Sequence, residues 1–113
     1  MSDSDDNVII VTTNDIPGYE VVQVMGEVFG LIVRARNVFS NFGASLRTLF
    51  GGEVGGYTTL LTDSRNQALD RLRTAARERG GNAVLAMRFD CNEIADLMSE
   101  IAAYGTAVTI RKK

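Results

Sequence analysis

A chain of 113 residues with 45% hydrophobic and 23% charged side chains has room for one hydrophobic core and enough apolar material to fold it. Twelve basic residues against 14 acidic ones leave a formal charge of −2, which argues against nucleic acid as a partner, because a general binder of that kind needs a cationic field. One cysteine and no histidine exclude an intrachain disulfide, a Ser-His or Cys-His catalytic pair and an imidazole metal site.

In chain order, residues 1–7 form an acidic tail with Asp3, Asp5 and Asp6, expected to be flexible, and residues 8–113 form a single domain. The tail is acidic rather than basic, and no apolar run approaches the roughly 20 residues a bilayer demands. The expectation is therefore a cytoplasmic protein without a signal peptide or a membrane partner. Asn7 to Thr12 (NVIIVT) reads as a short strand, and Asn14 to Gly18, with the only proline at Pro17, as a turn. Tyr19 to Arg36 reads as a long strand bent or bulged at Gly26 and Gly30, or as two strands. The spacing of Phe42, Leu46, Leu49 and Phe50 predicts a short amphipathic helix over Asn41 to Phe50, capped by Asn41.

A glycine-rich loop around Glu53 follows. It lacks the Gly-Lys-Ser/Thr run of a P-loop and reads as a tight turn rather than a phosphate cradle. Tyr57 to Arg79 contains neither Gly nor Pro and predicts the longest helix. Its core stripe is expected at Tyr57, Leu61, Ala68, Leu72 and Ala75, widened by Leu69 and Ala76. Gly80-Gly81-Asn82 ends it. Ala83 to Asp90 and Glu100 to Arg111 read as two strands that pair antiparallel across a polar loop or short helical turn. The fold class is α+β, an antiparallel sheet packed on one long helix.

Several arginines sit where a charge is awkward. Arg65 falls inside or beside the apolar stripe, so a carboxylate partner is expected. Arg34 and Arg36 alternate with Val33 and Ala35, and Arg88 and Asp90 with Leu85, Met87 and Phe89. That alternation reads as one solvated face on each strand or, more sharply, as a face whose arginines meet Glu20, Glu27 or Glu100 of a neighbouring subunit. Self-association is expected on its own grounds, because the apolar strands exceed what one helix stripe covers and their edges need partners.

Five motifs carry a resemblance: TTNDIPGYE (Thr12 to Glu20), VRARN (Val33 to Asn37), FGASLRTLFGGEVGGYTTLL (Phe42 to Leu61), GGNAV (Gly80 to Val84) and AYGTAV (Ala103 to Val108). Over nearly its whole length the chain resembles the YbjQ-like family, which is uncharacterised and labelled as heavy-metal-binding. The resemblance implies a subunit of dodecin-like architecture with a sheet wrapped around its helix, assembled with itself as a ring-like homopentamer. It also implies a divalent or soft heavy metal as ligand. With one thiol and no imidazole per subunit, such an ion must be shared between subunits, at Cys91 with Asp90 or Glu93 adding oxygen ligands, or else be held by oxygens. Arg65, Arg34, Arg36 and Glu53 are the candidates for interface or structural roles. No catalytic residue stands out, and the reading is non-enzymatic. Its alternatives are a scaffold ring without ligand and a flavin-binding, dodecin-like protein whose aromatic residues, Phe29, Phe89 and Tyr104 among them, line a pocket.

Overall fold

The computed structural model describes residues 8–35, 55–94 and 98–113, with backbone alone for residues 35, 55–57, 93 and 94. The elements are β1 (Ile9–Ile10), β2 (Tyr19–Ala35), α1 (Gly55–Glu78), β3 (Ala83–Ile94) and β4 (Met98–Lys112). The acidic tail, the expected helix over Asn41 to Phe50 and most of the glycine loop lie outside the described residues.

The strands form one sheet in the order β1-β3-β4-β2. β3 and β4 pair antiparallel as expected, and β2 runs antiparallel along the other side of β4. β1 joins β3 in parallel, so the sheet is mixed rather than wholly antiparallel. Periodicity identifies a strand but not its neighbour; here the main chain decides. Ile9 and Val11 donate to the carbonyls of Asn82 and Val84, and Ala86 and Met87 donate back to Thr13 and Val11. To receive that segment β3 shifts register between Leu85 and Arg88, with Ala86 at φ 55°.

β2 is a single strand of 17 residues, and its two interior glycines do different things. Gly26 sits at a register shift with φ 110°. Gly30 makes no break; it is where the helix touches the sheet. A Cβ at Gly30 would strike the carbonyl oxygen of Ala68 and lie 2.5 Å from the amide nitrogen of Leu72. Backbone therefore packs on backbone, which only small side chains beneath the helix permit. The fully buried stripe of α1 is accordingly Ser64, Ala68, Leu72 and Ala76, at intervals of four. Leu61, expected in the stripe, is 40% exposed, while Leu69 and Ala75 pack at its margin.

The helix ends as its glycines predict. Gly80 at φ 86° lets the Gly81 amide reach Ala76 O at 2.9 Å and the Gly80 amide reach Arg77 O at 2.9 Å, the paired bonds of a Schellman close. Among the described residues, three arginine hydrogen bonds tie α1 and the residue after it to β2: Arg71 Nη1 donates to Leu31 O at 2.7 Å, Arg79 Nη1 to Met25 O at 3.0 Å, and Arg34 Nη2 to Gln67 Oε1 at 3.0 Å.

Burial divides the sheet lengthwise. On the helix side Val28, Ile32, Ile101, Ala103 and Ala107 meet Ala68, Leu72 and Ala76. On the other side a second cluster, Ala83, Leu85, Val108 and Ile110, is covered by Val11, Ile16 and Tyr19 of the chain between β1 and the start of β2. That cover stops short, and beyond it the described residues leave open the face of β3, β4 and β2 that is turned away from α1. Among the described residues no helix is long and apolar enough to cross a membrane.

Candidate functional site

Strand alternation and register place the open face residue by residue. Val28, Gly30 and Ile32 of β2 turn towards the helix, so Phe29, Leu31 and Val33 turn away. β4 presents Glu100, Ala102 and Tyr104 on that outer face, since Ile101 and Ala103 belong to the core. β3 presents Arg88, Asp90 and Asn92. The register aligns these residues in three cross-strand rows: Phe29, Tyr104 and Arg88; Leu31, Ala102 and Asp90; Val33, Glu100 and Asn92.

A groove of about 500 Å³ follows the rows, lined by Phe29, Leu31, Asp90, Asn92, Glu100, Ala102 and Tyr104. Its depth comes from Ala102, the small residue of the middle row, between the aromatic pair on one side and Glu100 on the other. The Phe29 and Tyr104 rings stand 6.3 Å apart at 35°. Asn92 Nδ2 donates to Glu100 Oε1 at 3.4 Å. Arg88 shares the face but is turned from the groove, with Nη1 donating to Thr12 O at 3.0 Å and Met87 O at 2.9 Å. Among the described residues the lining therefore contains two carboxylates and no cationic side chain.

The candidate metal ligands do not converge within the subunit. Cys91 is exposed and pairs in register with Ile101, a residue of the helix side, whereas Asp90 pairs with Ala102 on the open face. Consecutive residues of a regular strand point to opposite faces, so these two cannot close on one ion. The Glu93 side chain lies outside the described residues. Among the described residues no three Cys, Asp or Glu side chains form a group fit for a metal. One soft donor with no companion does not fit a heavy-metal site in a single subunit.

The arginines are used differently from expectation. Arg65 is exposed, and among the described residues its guanidinium lies over an aromatic ring, with Cζ 5.2 Å from the Phe89 ring centroid. Arg34 was expected on a solvated face, but its strand face is the helix side, where Gln67 receives it; the solvated face carries Val33. The reversal arises because both faces of this strand are apolar from Val28 to Ile32. Glu20, an expected intersubunit partner, pairs within the chain to Arg111 at 2.6 Å. Arg36 and Glu53 lie outside the described residues. The alternation of Arg88 and Asp90 against Met87 holds. Of the aromatic residues weighed for a pocket, Phe29 and Tyr104 meet in the groove, and Phe89 turns to the helix side. Asn92 and Ala102 were not legible as site residues, because only the register brings them beside Glu100 and Leu31.

Against known proteins, residues 8–111 match a family model whose description reads "Putative heavy-metal-binding". The chain is 56% identical over 104 residues to a UPF0145 protein of Acidothermus cellulolyticus, covering 92% of this chain and 96% of that protein. It is 57% identical over 106 residues to a UPF0145 protein of Streptomyces griseus, covering 94% and 88%. Among solved structures, a protein of unknown function from Pediococcus pentosaceus, of the DUF74 family, superposes with a TM-score of 0.55 at 15% identity, over 92% of this chain and 98% of that one. That likeness supports the fold alone.

Proposed function

The chain belongs to the YbjQ family, and from that premise we propose that it is a non-enzymatic subunit that assembles with itself, as a pentameric ring, and binds a small ligand. The observation that carries the assembly is β2. It is the last strand of the described sheet on its side, and Val21, Val22 and Val24 on it are 45%, 55% and 63% exposed. An edge strand with unpaired main-chain groups and adjacent apolar side chains is a template for another chain. Among the described residues, Arg71 and Arg79 donate to two of its carbonyls, those of Leu31 and Met25.

The heavy-metal part of the family description is compatible with this chain only across subunits, with Cys91 thiolates from several copies as the soft donors. Metal analysis of the purified wild type and Cys91→Ser tests that arrangement, and negligible metal in both ends it. Native mass spectrometry tests the assembly. The expected species is five times the 12.3 kDa subunit, with Val22→Lys and Val24→Lys shifting it to single chains that retain their circular dichroism. A wild type that remains a single chain at micromolar concentration overturns the proposal.

A further inference from the structure

We propose that the groove on the helix-free face binds a small organic cation with an apolar body, of the aryl-alkylamine class. Its volume of about 500 Å³ is that of a small-molecule site, and its walls have the right composition, mostly apolar with a few polar groups placed at one side. The aromatic row, Phe29 and Tyr104, offers two tilted ring faces, and Leu31 with Ala102 forms the floor. A flat or aliphatic body fits this part.

The polar part selects the charge. Asp90 lies in the row next to Tyr104, and Glu100 one row further, held by Asn92. Two residues along a strand span roughly 6.6 Å, so a cation placed between the two carboxylates keeps its body on the rings through a spacer of two or three carbons. An anion would meet two like charges. A neutral apolar ligand would take water from both carboxylates and return no partner. Among the described residues, the cation that shares this face, Arg88, is committed to the carbonyls of Thr12 and Met87. The ligand must therefore bring its own positive charge.

The inference goes beyond self-assembly and uses a different part of β2, the segment from Phe29 to Leu31 rather than Val21 to Val24. The probe is 2-phenylethylammonium, titrated into the full-length protein and followed by NMR, with 2-phenylethanol and 3-phenylpropionate as neutral and anionic controls. Saturable shifts at Phe29, Ala102 and Tyr104 are expected in the low-millimolar range of so small a ligand. Affinity should fall at least about fivefold in Glu100→Gln and in Phe29→Ala, and about as much when ionic strength rises from 0.01 to 0.15 M. Phe29 is 52% exposed, so its truncation spares the core, and the amide spectrum verifies the fold. Equal affinity for the alcohol, unchanged affinity in Glu100→Gln, or no groove shifts at about 10 mM probe each overturns the inference. Native mass spectrometry of the same samples reads the assembly separately, so failure of one proposal is not mistaken for failure of the other.

Discussion

Gly30→Ala is the sharpest test of how the helix sits on the sheet. The glycine lies within a regular stretch of β2 whose register continues through it, so alanine adopts the same backbone there, and loss of chain entropy in the unfolded state favours the variant by about 0.4–1 kcal/mol. Against this stands the added methyl, which meets Ala68 O and approaches Leu72 N to 2.5 Å. Both obstacles are main-chain atoms of α1, so no rotamer change relieves them. Restoring ordinary contact needs the helix to lift from β2 by roughly 1 Å, and a gap of that size forfeits a quarter to a half of each dispersion contact beneath it. Leu72 of that turn and Ile32 and Val28 of β2 belong to the core cluster that would be loosened. Overpacking of this kind costs about 1–3 kcal/mol and outweighs the entropy gain. At mid-range values the net cost is about 1.3 kcal/mol, and at about 4 °C per kcal/mol for a chain of this length Tm falls by about 5 °C. Urea and thermal unfolding at one fixed protein concentration measure the change, which removes the effect of assembly on apparent stability. Gly18→Ala is the control, because Gly18 has φ 86° with nothing within 4 Å of an added Cβ and tests conformational strain without a clash. A Gly30→Ala protein within about 0.5 kcal/mol of wild type would refute the seating of α1 on β2.

Ser64→Ala should stabilise the protein by about 1 kcal/mol in urea unfolding, since the Ser64 hydroxyl is fully buried without a hydrogen-bond partner among the described residues and alanine is the better helix former. A loss of stability would show that the hydroxyl is satisfied after all. Ala86→Gly should raise stability by about 0.5 kcal/mol by relieving φ 55°, and Ala86→Val should lower it by at least about 1 kcal/mol, both read from the same denaturation midpoints. Two equal effects would mean that the bulge relaxes at no cost. Arg65→Ala should cost about 0.5–1 kcal/mol, the worth of an exposed cation–ring contact, and Arg65→Lys less. Phe89→Leu then makes Arg65→Ala silent in a double-mutant cycle; a cost that persists would point to a carboxylate partner.

Element identity was legible wherever one local rule dominated. The absence of Gly and Pro over Tyr57 to Arg79, followed by Gly80-Gly81, locates α1 to within two residues at each end, and β-branched runs locate the strands. The parallel placement of β1 was not legible, because it rests on main-chain bonds to Val84, Ala86 and Met87 that have no side-chain signature. The helix stripe was legible only in part. Hydrophobicity ranks Leu61 above Ser64, whereas the structure buries the small Ser64 and Ala68 together with Leu72 and leaves Leu61 at the surface.

The same competition explains why the candidate site was hidden. On β2, Val28 and Ile32 alternate with Phe29, Leu31 and Val33, so both faces read as apolar and period two cannot say which one meets the helix. Gly30 breaks the tie, since only the face with the missing side chain admits backbone to backbone. Once that face is taken, the larger side chains are left outside, and the β1–β2 connection covers the outer face only as far as the cluster around Leu85 and Val108. The uncovered remainder is where Asp90 and Glu100 stand beside Phe29, Leu31 and Tyr104. A solvated strand face would have no need of aromatic residues, and a core would not admit two carboxylates. Cys91, one residue from Asp90 but on the other side of the sheet, is kept apart from this chemistry by strand geometry. A thiol-bound metal and a ligand in the groove are therefore separable in this fold, and removal of the Cys91 thiol leaves every residue of the groove in place.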